Sequence, residues 1–386
     1  MVQFMSTEAS LDVIDLLKKL VSFNTVNPPG TNQECPGFIE DYLKSNTGAN
    51  IRKVRTDDVV NVIASVKFSN SGPHLVFNGH WDVVPVFREK WRTDPFIPVI
   101  NGDWLYGRGS ADMKSGLAAL IKTFELLSQQ EDLQGTLTLM AVGDEERGGH
   151  RGTQAVLNAM PNLNPSLVLI GEPTELRVKV GRRGIIHVKL SIETNSYHSA
   201  WLYRKYISSI EICSALVLRL RNMNLNDSID IMPHTTFAVT RFNAGIAINV
   251  LPKICNLSID VRNTPKTNGE RVKAILTKIL DDLKNEFGDF HYELTVKEKA
   301  QPYFIGNDYI KSLVESIYHK LGLPIVYDAG GGASDGRYFV TKGVKNIVEI
   351  GPKAKNVHGE NEAVNIPSVY KVLSIYKMLG KYYLSS

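Results

Sequence analysis

Seven side chains of metal-ligand type stand where an apolar run gives way to a polar one or to a loop. His80 and Asp82 follow His74-Leu-Val-Phe-Asn, and Asp112 closes Gly107-Arg-Gly-Ser-Ala-Asp112 after Trp104-Leu-Tyr. Glu145 and Glu146 follow Gly135-Thr-Leu-Thr-Leu-Met-Ala-Val, Glu172 follows Ser166-Leu-Val-Leu-Ile, and His358 stands in Val-His-Gly-Glu-Asn-Glu. Residues two apart on a strand point to the same side, so a strand ending at His80 puts an imidazole and the Asp82 carboxylate beside each other. A ligating histidine commonly donates its second N–H to a carboxylate, which makes His80 a candidate ligand and Asp82 its orienting partner. Two histidines and several carboxylates without thiolates suit zinc or cobalt in a catalytic site with open positions. The set exceeds what one tetrahedral ion uses, and two divalent ions sharing a bridging carboxylate would use it better. The adjacent Glu145 and Glu146 can then divide labour, one as ligand and one as general base.

Each residue alone has a plainer reading. Asp112 precedes a helical pattern and could cap it; Glu145-Glu146 could be a solvated turn and His358 a surface histidine. The joint pattern favours the metal reading, because separate strand ends all carry ligand-type side chains.

The elements that position these residues follow from periodicity. A helix opens near Thr7. Val60–Val66, His74–Asn78, Gly135–Val142 and Ser166–Ile170 read as strands, and Ser115–Leu127 and Thr153–Met160 as helices. Alternating strands and helices predict α/β architecture with a mostly parallel sheet, and ligands of open α/β sheets collect at the strands' carboxyl ends. From Val180 the texture changes. Ile185–Glu193, Thr235–Phe242 and Ile254–Arg262 alternate with period two, as half-exposed antiparallel strands do, with helices near 207–221 and 269–287. A smaller α+β domain, a four-stranded antiparallel sheet with two helices, is therefore expected at 180–295, inserted into a catalytic domain of residues 1–179 and 296–386.

At 386 residues, 43% hydrophobic and 22% charged, the composition is that of a globular two-domain protein. A net charge of +4 without a Lys/Arg run gives no nucleic-acid surface. Cys35, Cys213 and Cys255 form no C-x-x-C pair, so neither a disulfide framework nor a cysteine zinc site is expected. No signal-peptide pattern or membrane-length apolar run is read, and a cytoplasmic protein without membrane association is expected.

His80-x-Asp82-Val-Val-Pro85, Gly107-Arg-Gly-Ser-Ala-Asp112-Met-Lys, Asp144-Glu145-Glu146, Gly171-Glu172-Pro-Thr and His358, in this order from about residue 10 to 370, resemble the M20 family of metallopeptidases and deacylases. Gly330-Gly-Gly-Ala-Ser-Asp-Gly-Arg and Glu349-Ile-Gly-Pro resemble its acetylornithine deacetylase and succinyl-diaminopimelate desuccinylase group. The resemblance implies that His80, Asp112 and Glu172 hold one ion and Asp112, Glu146 and His358 the other. It also implies that Glu145 is the general base and acid and that Asp82 orients His80. Arg182, Asn249 and Arg262 resemble positions that hold a substrate carboxylate, for which arginine is suited. His198 resembles a histidine that reaches a partner subunit's site in a homodimer built through the inserted domain. The glycine-rich loop, Gly332 included, would contact substrate through its backbone.

The sequence departs from the group at Leu202 and Ile207, where proline and asparagine are usual, and at Ile185 and Ala333, where desuccinylases carry serine and threonine. Loss of those hydroxyl donors leaves the acyl group open between succinyl, acetyl and others. A dipeptidase or carboxypeptidase would share the same metal centre. A remote alternative is a serine hydrolase, since Gly332-Ala-Ser334-Asp-Gly336 fits the Gly-x-Ser-x-Gly pattern; that reading leaves His80, Asp112, Glu145 and Glu172 unexplained.

Overall fold

Leu75, Val76 and Phe77, Leu137, Leu139 and Met140, and Leu167 to Ile170 are all fully buried. Strands apolar at successive positions need cover on both faces, the setting of a parallel sheet. In the computed structural model, which describes residues 7–28, 33–204 and 206–385, the strands β1 (His74–His80), β2 (Thr136–Val142) and β3 (Leu167–Ile170) lie side by side in parallel. His80 is opposite Val142 and Asn78 opposite Ile170, so all three chains leave the sheet at one edge. Ile347–Glu349 continues the parallel set beside β3, with Glu349 opposite Ile170. On the other side β2 pairs antiparallel with Val59–Lys67, which pairs with the edge strand Asn50–Thr56.

Two helices cover β1. Lys114–Ser128 starts just after Asp112, and Ile366–Leu384 packs on it and on β1. The second is capped by Asn365, whose side chain accepts from Ser368 N at 3.1 Å, with proline in the first turn. A small antiparallel sheet of Val99–Asn101, Trp104–Tyr106, Ala363–Asn365 and Ala354–Lys355 completes the arrangement. Ala363 lies opposite Tyr106, which brings the turn carrying His358 next to the loop carrying Asp112.

The chain divides into two units. The one just described holds the chain up to Val180, Ile305–Asp328 and the chain from Ser334 on; the other holds Gly181–Phe304 and Ala329–Ala333. The second unit is a four-stranded antiparallel sheet in the order Thr236–Ala244, Ile254–Arg262, Ile185–Glu193, His291–Ala300. Ile186, Val188, Leu190 and Ile192 form one buried face with Leu257, Ile259 and Val261. Helices Ser209–Arg221 and Gly269–Phe287 add Leu216, Leu220, Leu276 and Leu280 to that core. At 296, where the sequence division returned to the larger domain, the chain is still inside the strand His291–Ala300, with Val296 opposite Val188. That strand alternates charged and apolar residues at a half-exposed sheet edge, which is why its end is poorly marked in the sequence. No helix among the described residues is long and apolar enough to cross a membrane.

One close approach ties the fold to the site. A Cβ on Gly116, in the first turn of Lys114–Ser128, would lie 1.8 Å from the Gly171 carbonyl oxygen, and one on Gly351 would lie 1.9 Å from that of Glu172. Backbone cannot yield as a flexible side chain does. Gly116→Ala is therefore expected to destabilise the protein by about 1–3 kcal/mol, seen as a lower thermal midpoint. A melt unchanged to within about 1 °C would show that the helix and Gly171 separate freely.

Candidate metal centre

His80 ends β1 and is 1% exposed. Its Nδ1 lies 3.0 Å from the Asp82 main-chain oxygen and 3.5 Å from Asp82 Oδ1. The carbonyl is thus the nearer partner; donation from Nδ1 leaves the Nε2 lone pair for a ligand. The Asp82 carboxylate, fully buried, accepts instead from Asn27 Nδ2 at 3.0 Å, Glu145 N at 3.2 Å and Glu146 N at 3.3 Å. It holds the turn that carries both glutamates as well as flanking His80.

Asp112 does not cap the helix it precedes. The cap position is Met113, with no side-chain hydrogen bond. The Asp112 carboxylate lies between two imidazoles, with Oδ1 3.2 Å from His80 Nε2 and Oδ2 3.0 Å from His358 Nε2. Glu172 Oε1 is 3.9 Å from His80 Nε2, and Glu146 Oε1 is 3.1 Å from His358 Nε2. Two groups result, His80–Asp112–Glu172 and Asp112–Glu146–His358, each with its ligand atoms within 4.8 Å of one another. Asp112 belongs to both. The donor set fits divalent cations: imidazole nitrogens and carboxylate oxygens converge from several elements. Glu146 Oε1 is buried and makes no well-directed hydrogen bond despite its closeness to His358, a cost that a cation would remove.

The charges agree with that reading. The carboxylates of Asp112 and Glu146 beside its ring push His358 up to about 10 against the opposing effect of burial. For His80, burial is outweighed by Asp112 and Asp82, and its pKa stands well above the ordinary histidine range. Surroundings that favour a proton on these rings also favour a divalent cation, and the two compete for the same nitrogen. Burial, then the Glu172 carboxylate, drive Glu145 well above the usual carboxylate range. Glu145 is in neither group of potential ligands, and its neighbours favour its protonated form, the condition for a group that must accept and release a proton.

Several residues that sequence reasoning missed hold this arrangement. Asp144, left-handed at φ 71°, turns the chain off β2. Its carboxylate accepts from Arg151 N at 2.9 Å, Arg151 Nη2 at 2.6 Å and Asn27 Nδ2 at 3.3 Å. Arg337 Nη2 donates to Gly148 O at 2.7 Å, and Thr153 Oγ1 to Asp335 Oδ2 at 2.7 Å. Arg108 and Glu362 form a buried ion pair. Signals lay in the quoted motifs, at Gly107-Arg-Gly, at Asp144 before the two glutamates and at Asp335-Gly-Arg337 after the glycine-rich run.

The remaining sequence candidates lie in the second unit. Arg182 Nη1 donates to the Gly332 carbonyl at 3.0 Å. Arg262 Nε donates to Asp260 Oδ2 at 3.1 Å. His198 Nε2 is 3.3 Å from Asn249 Nδ2, and Ala200 N donates to His198 Nδ1 at 3.2 Å. Ser334, in the first unit, is 1% exposed and donates to Glu349 Oε1 at 2.6 Å. A serine whose proton goes to a buried carboxylate lacks the adjacent histidine base of a nucleophile, and His358 Nε2 faces Asp112 and Glu146 instead.

A mostly parallel sheet with convergent histidines and carboxylates at its carboxyl edge, joined to a separate four-stranded antiparallel unit, is the architecture of a metallohydrolase. Residues 76–381 match the model of peptidase family M20/M25/M40, and the chain belongs to that family of hydrolases. It is 31% identical over 383 residues to a succinyl-diaminopimelate desuccinylase of Sulfurovum sp., covering 97% of this chain and 99% of that protein. A desuccinylase of the same name from Nautilia profundicola is 33% identical over 377 residues, covering 95% and 98%. The fold is similar to that of Bacillus subtilis YxeP, described as a dinuclear metal binding peptidase of the M20 family. Its TM-score is 0.75 at 17% identity, over 98% of this chain and 99% of that one.

Asp82→Ala would leave the N–H groups of Glu145 and Glu146 without their acceptor. Divalent-metal affinity is expected to fall about 10–100-fold, measured by calorimetric titration with Zn2+. Wild-type affinity in this variant would show that the turn holds its shape without the carboxylate.

Proposed function

We propose that this protein hydrolyses the amide bond of N-acyl amino acids with two divalent ions, zinc or cobalt, as in the acetylornithine deacetylase and succinyl-diaminopimelate desuccinylase group. The observation that carries the reading is the pair of ligand groups sharing Asp112, with Glu145 beside them and in neither. His80, Asp112 and Glu172 would hold one ion and Asp112, Glu146 and His358 the other. When bound, the ions act as Lewis acids that acidify water and polarise the scissile carbonyl. Glu145 takes the proton of the attacking water and returns it to the leaving amine nitrogen. Asp82 fixes the turn from which Glu145 projects. Arg182, Asn249 and Arg262 bind a substrate carboxylate, the Gly332 backbone contacts the substrate, and His198 polarises the scissile carbonyl. That last role is exercised in the partner's site of a homodimer formed through the second unit.

The relatives' names support a succinyl group. Ile185 and Ala333, without side-chain hydroxyls, support a less polar acyl group or a short peptide, and a dipeptidase or carboxypeptidase is the second reading. The cytoplasm is the proposed compartment, supported by three buried cysteines that are all free thiols.

Amine release should be measured from N-succinyl-diaminopimelate, N-acetylornithine and dipeptides, with Zn2+ or Co2+ and with chelator. Release from an N-acyl amino acid that chelation abolishes is expected, and release surviving complete chelation would overturn the proposal. Glu145→Gln should lower kcat about 10²–10⁴-fold with metal still bound. Ser334→Ala should lower stability by about 1–3 kcal/mol, through loss of its hydrogen bond to the Glu349 carboxylate, with kcat unchanged; loss of turnover in a folded Ser334→Ala would instead favour a serine hydrolase.

A further inference from the structure

Glu362 is 1% exposed, and its carboxylate is filled by donors from a single loop. Oε1 accepts from Ala111 N at 2.9 Å and from Asp112 N at 2.9 Å. Oε2 accepts from Gly109 N at 3.1 Å and from Arg108 Nη1. Its main-chain oxygen accepts from Gly107 N at 3.0 Å and Ser110 Oγ at 3.4 Å. A carboxylate that gathers successive backbone N–H groups fixes their loop as one body, here the loop that ends in Asp112.

The same pair reaches the other side of the centre. Glu362 follows His358 in a turn whose backbone is left-handed at Asn356, His358 and Asn361, with φ of 53°, 62° and 55°. Such backbone persists only when its surroundings hold it. Arg108 Nη2 donates to the His358 carbonyl at 3.3 Å and to the Pro85 carbonyl at 3.3 Å. Both ends of the 3.0 Å contact between Asp112 and His358 are thus held by one buried ion pair. His80 and Glu172 are placed differently, by the ends of adjacent parallel strands.

We propose that Glu362, with Arg108 as its counter-ion, is a positioning residue that sets the separation of Asp112 from His358, and so the affinity of the cation site they share with Glu146. The inference rests on the two-ion reading above. Glutamine cannot replace the carboxylate, because either orientation of its amide turns an NH2 group toward donors, Ala111 and Asp112 N–H on one side or Gly109 N–H and Arg108 on the other.

The test is a calorimetric titration of the full chain, stripped by chelator, with Zn2+, together with the visible spectrum of the Co2+-loaded protein. Wild type should take two equivalents. Glu362→Gln should weaken the second about 10–100-fold, weaken the first, which shares only Asp112 with it, by clearly less, and change the Co2+ absorption envelope. Glu360→Gln, on the same turn and paired only loosely with Lys90 at 3.7 Å, should titrate as wild type. Circular dichroism reports folding; should Glu362→Gln not fold, Arg108→Lys, which keeps the charge and loses the fork, carries the same expectation. Two equivalents at wild-type affinity with an unchanged spectrum in the folded variant, or equal weakening of both, would overturn the positioning role and leave the two-ion reading standing. A wild type that takes fewer than two equivalents would overturn the two-ion reading, and this inference with it.

Discussion

The Asp112 carboxylate lies between His80 and His358, 3.2 and 3.0 Å from their Nε2 atoms, and Glu145, Glu146 and Glu172 crowd the same place. Such a concentration of carboxylates is unfavourable unless positive charge is supplied. Among the described residues, three arginines are engaged one layer out: Arg151 with Asp144, Arg108 with Glu362, and Arg337 beside Asp335. These pairs neutralise one another, stiffen the loops, and leave the central carboxylates to the two imidazoles and to whatever cation joins them. Polar groups held in this way are costly to disturb in a low-dielectric interior.

The geometry that makes this possible is a property of the sheet. Parallel strands end at a common edge, so residues distant in sequence, after His80, Val142 and Ile170, leave the sheet together. The sheet alone cannot supply Asp112 or His358. Those come from the small antiparallel sheet, in which Ala363 pairs with Tyr106 and places two irregular segments against each other. The regular sheet fixes half of the centre through backbone pairing, and side-chain hydrogen bonds to main-chain groups fix the rest.

This split explains what could be read from the sequence. The doubly covered strands announce themselves as apolar runs, and the second unit's sheet as alternation, so the fold class was legible. Asn50–Thr56 was not, because only Val54 of Asn-Ile-Arg-Lys-Val-Arg-Thr is buried, and a charged edge strand looks like a loop. His80, Glu145, Glu146 and Glu172 stood out because each follows such a run. Asp112 was ambiguous, since an aspartate before a helix also reads as a cap; only the placement of the cap at Met113 removes that ambiguity. Glu362 and Asn27 were illegible for a different reason. Their partners are largely main-chain groups or residues far along the chain, and no local period encodes them.

Glu145 and Glu146 are chemically identical neighbours, and what separates them is backbone. Asp144 is left-handed at φ 71°, Gly148 and Gly149 follow at 105° and 67°, and Asp82 accepts both glutamate N–H groups. With both amides drawn to one carboxylate, the tight turn sends the side chains apart. Glu146 meets His358 at 3.1 Å, while Glu145 is raised first by burial and then by the repulsion of Glu172. Repulsion between like charges raises the pKa of a carboxyl that no cation neutralises and has less effect on one held by an imidazole. The difference in environment needed for a proton carrier beside a metal ligand thus follows from one strained turn held by one buried aspartate.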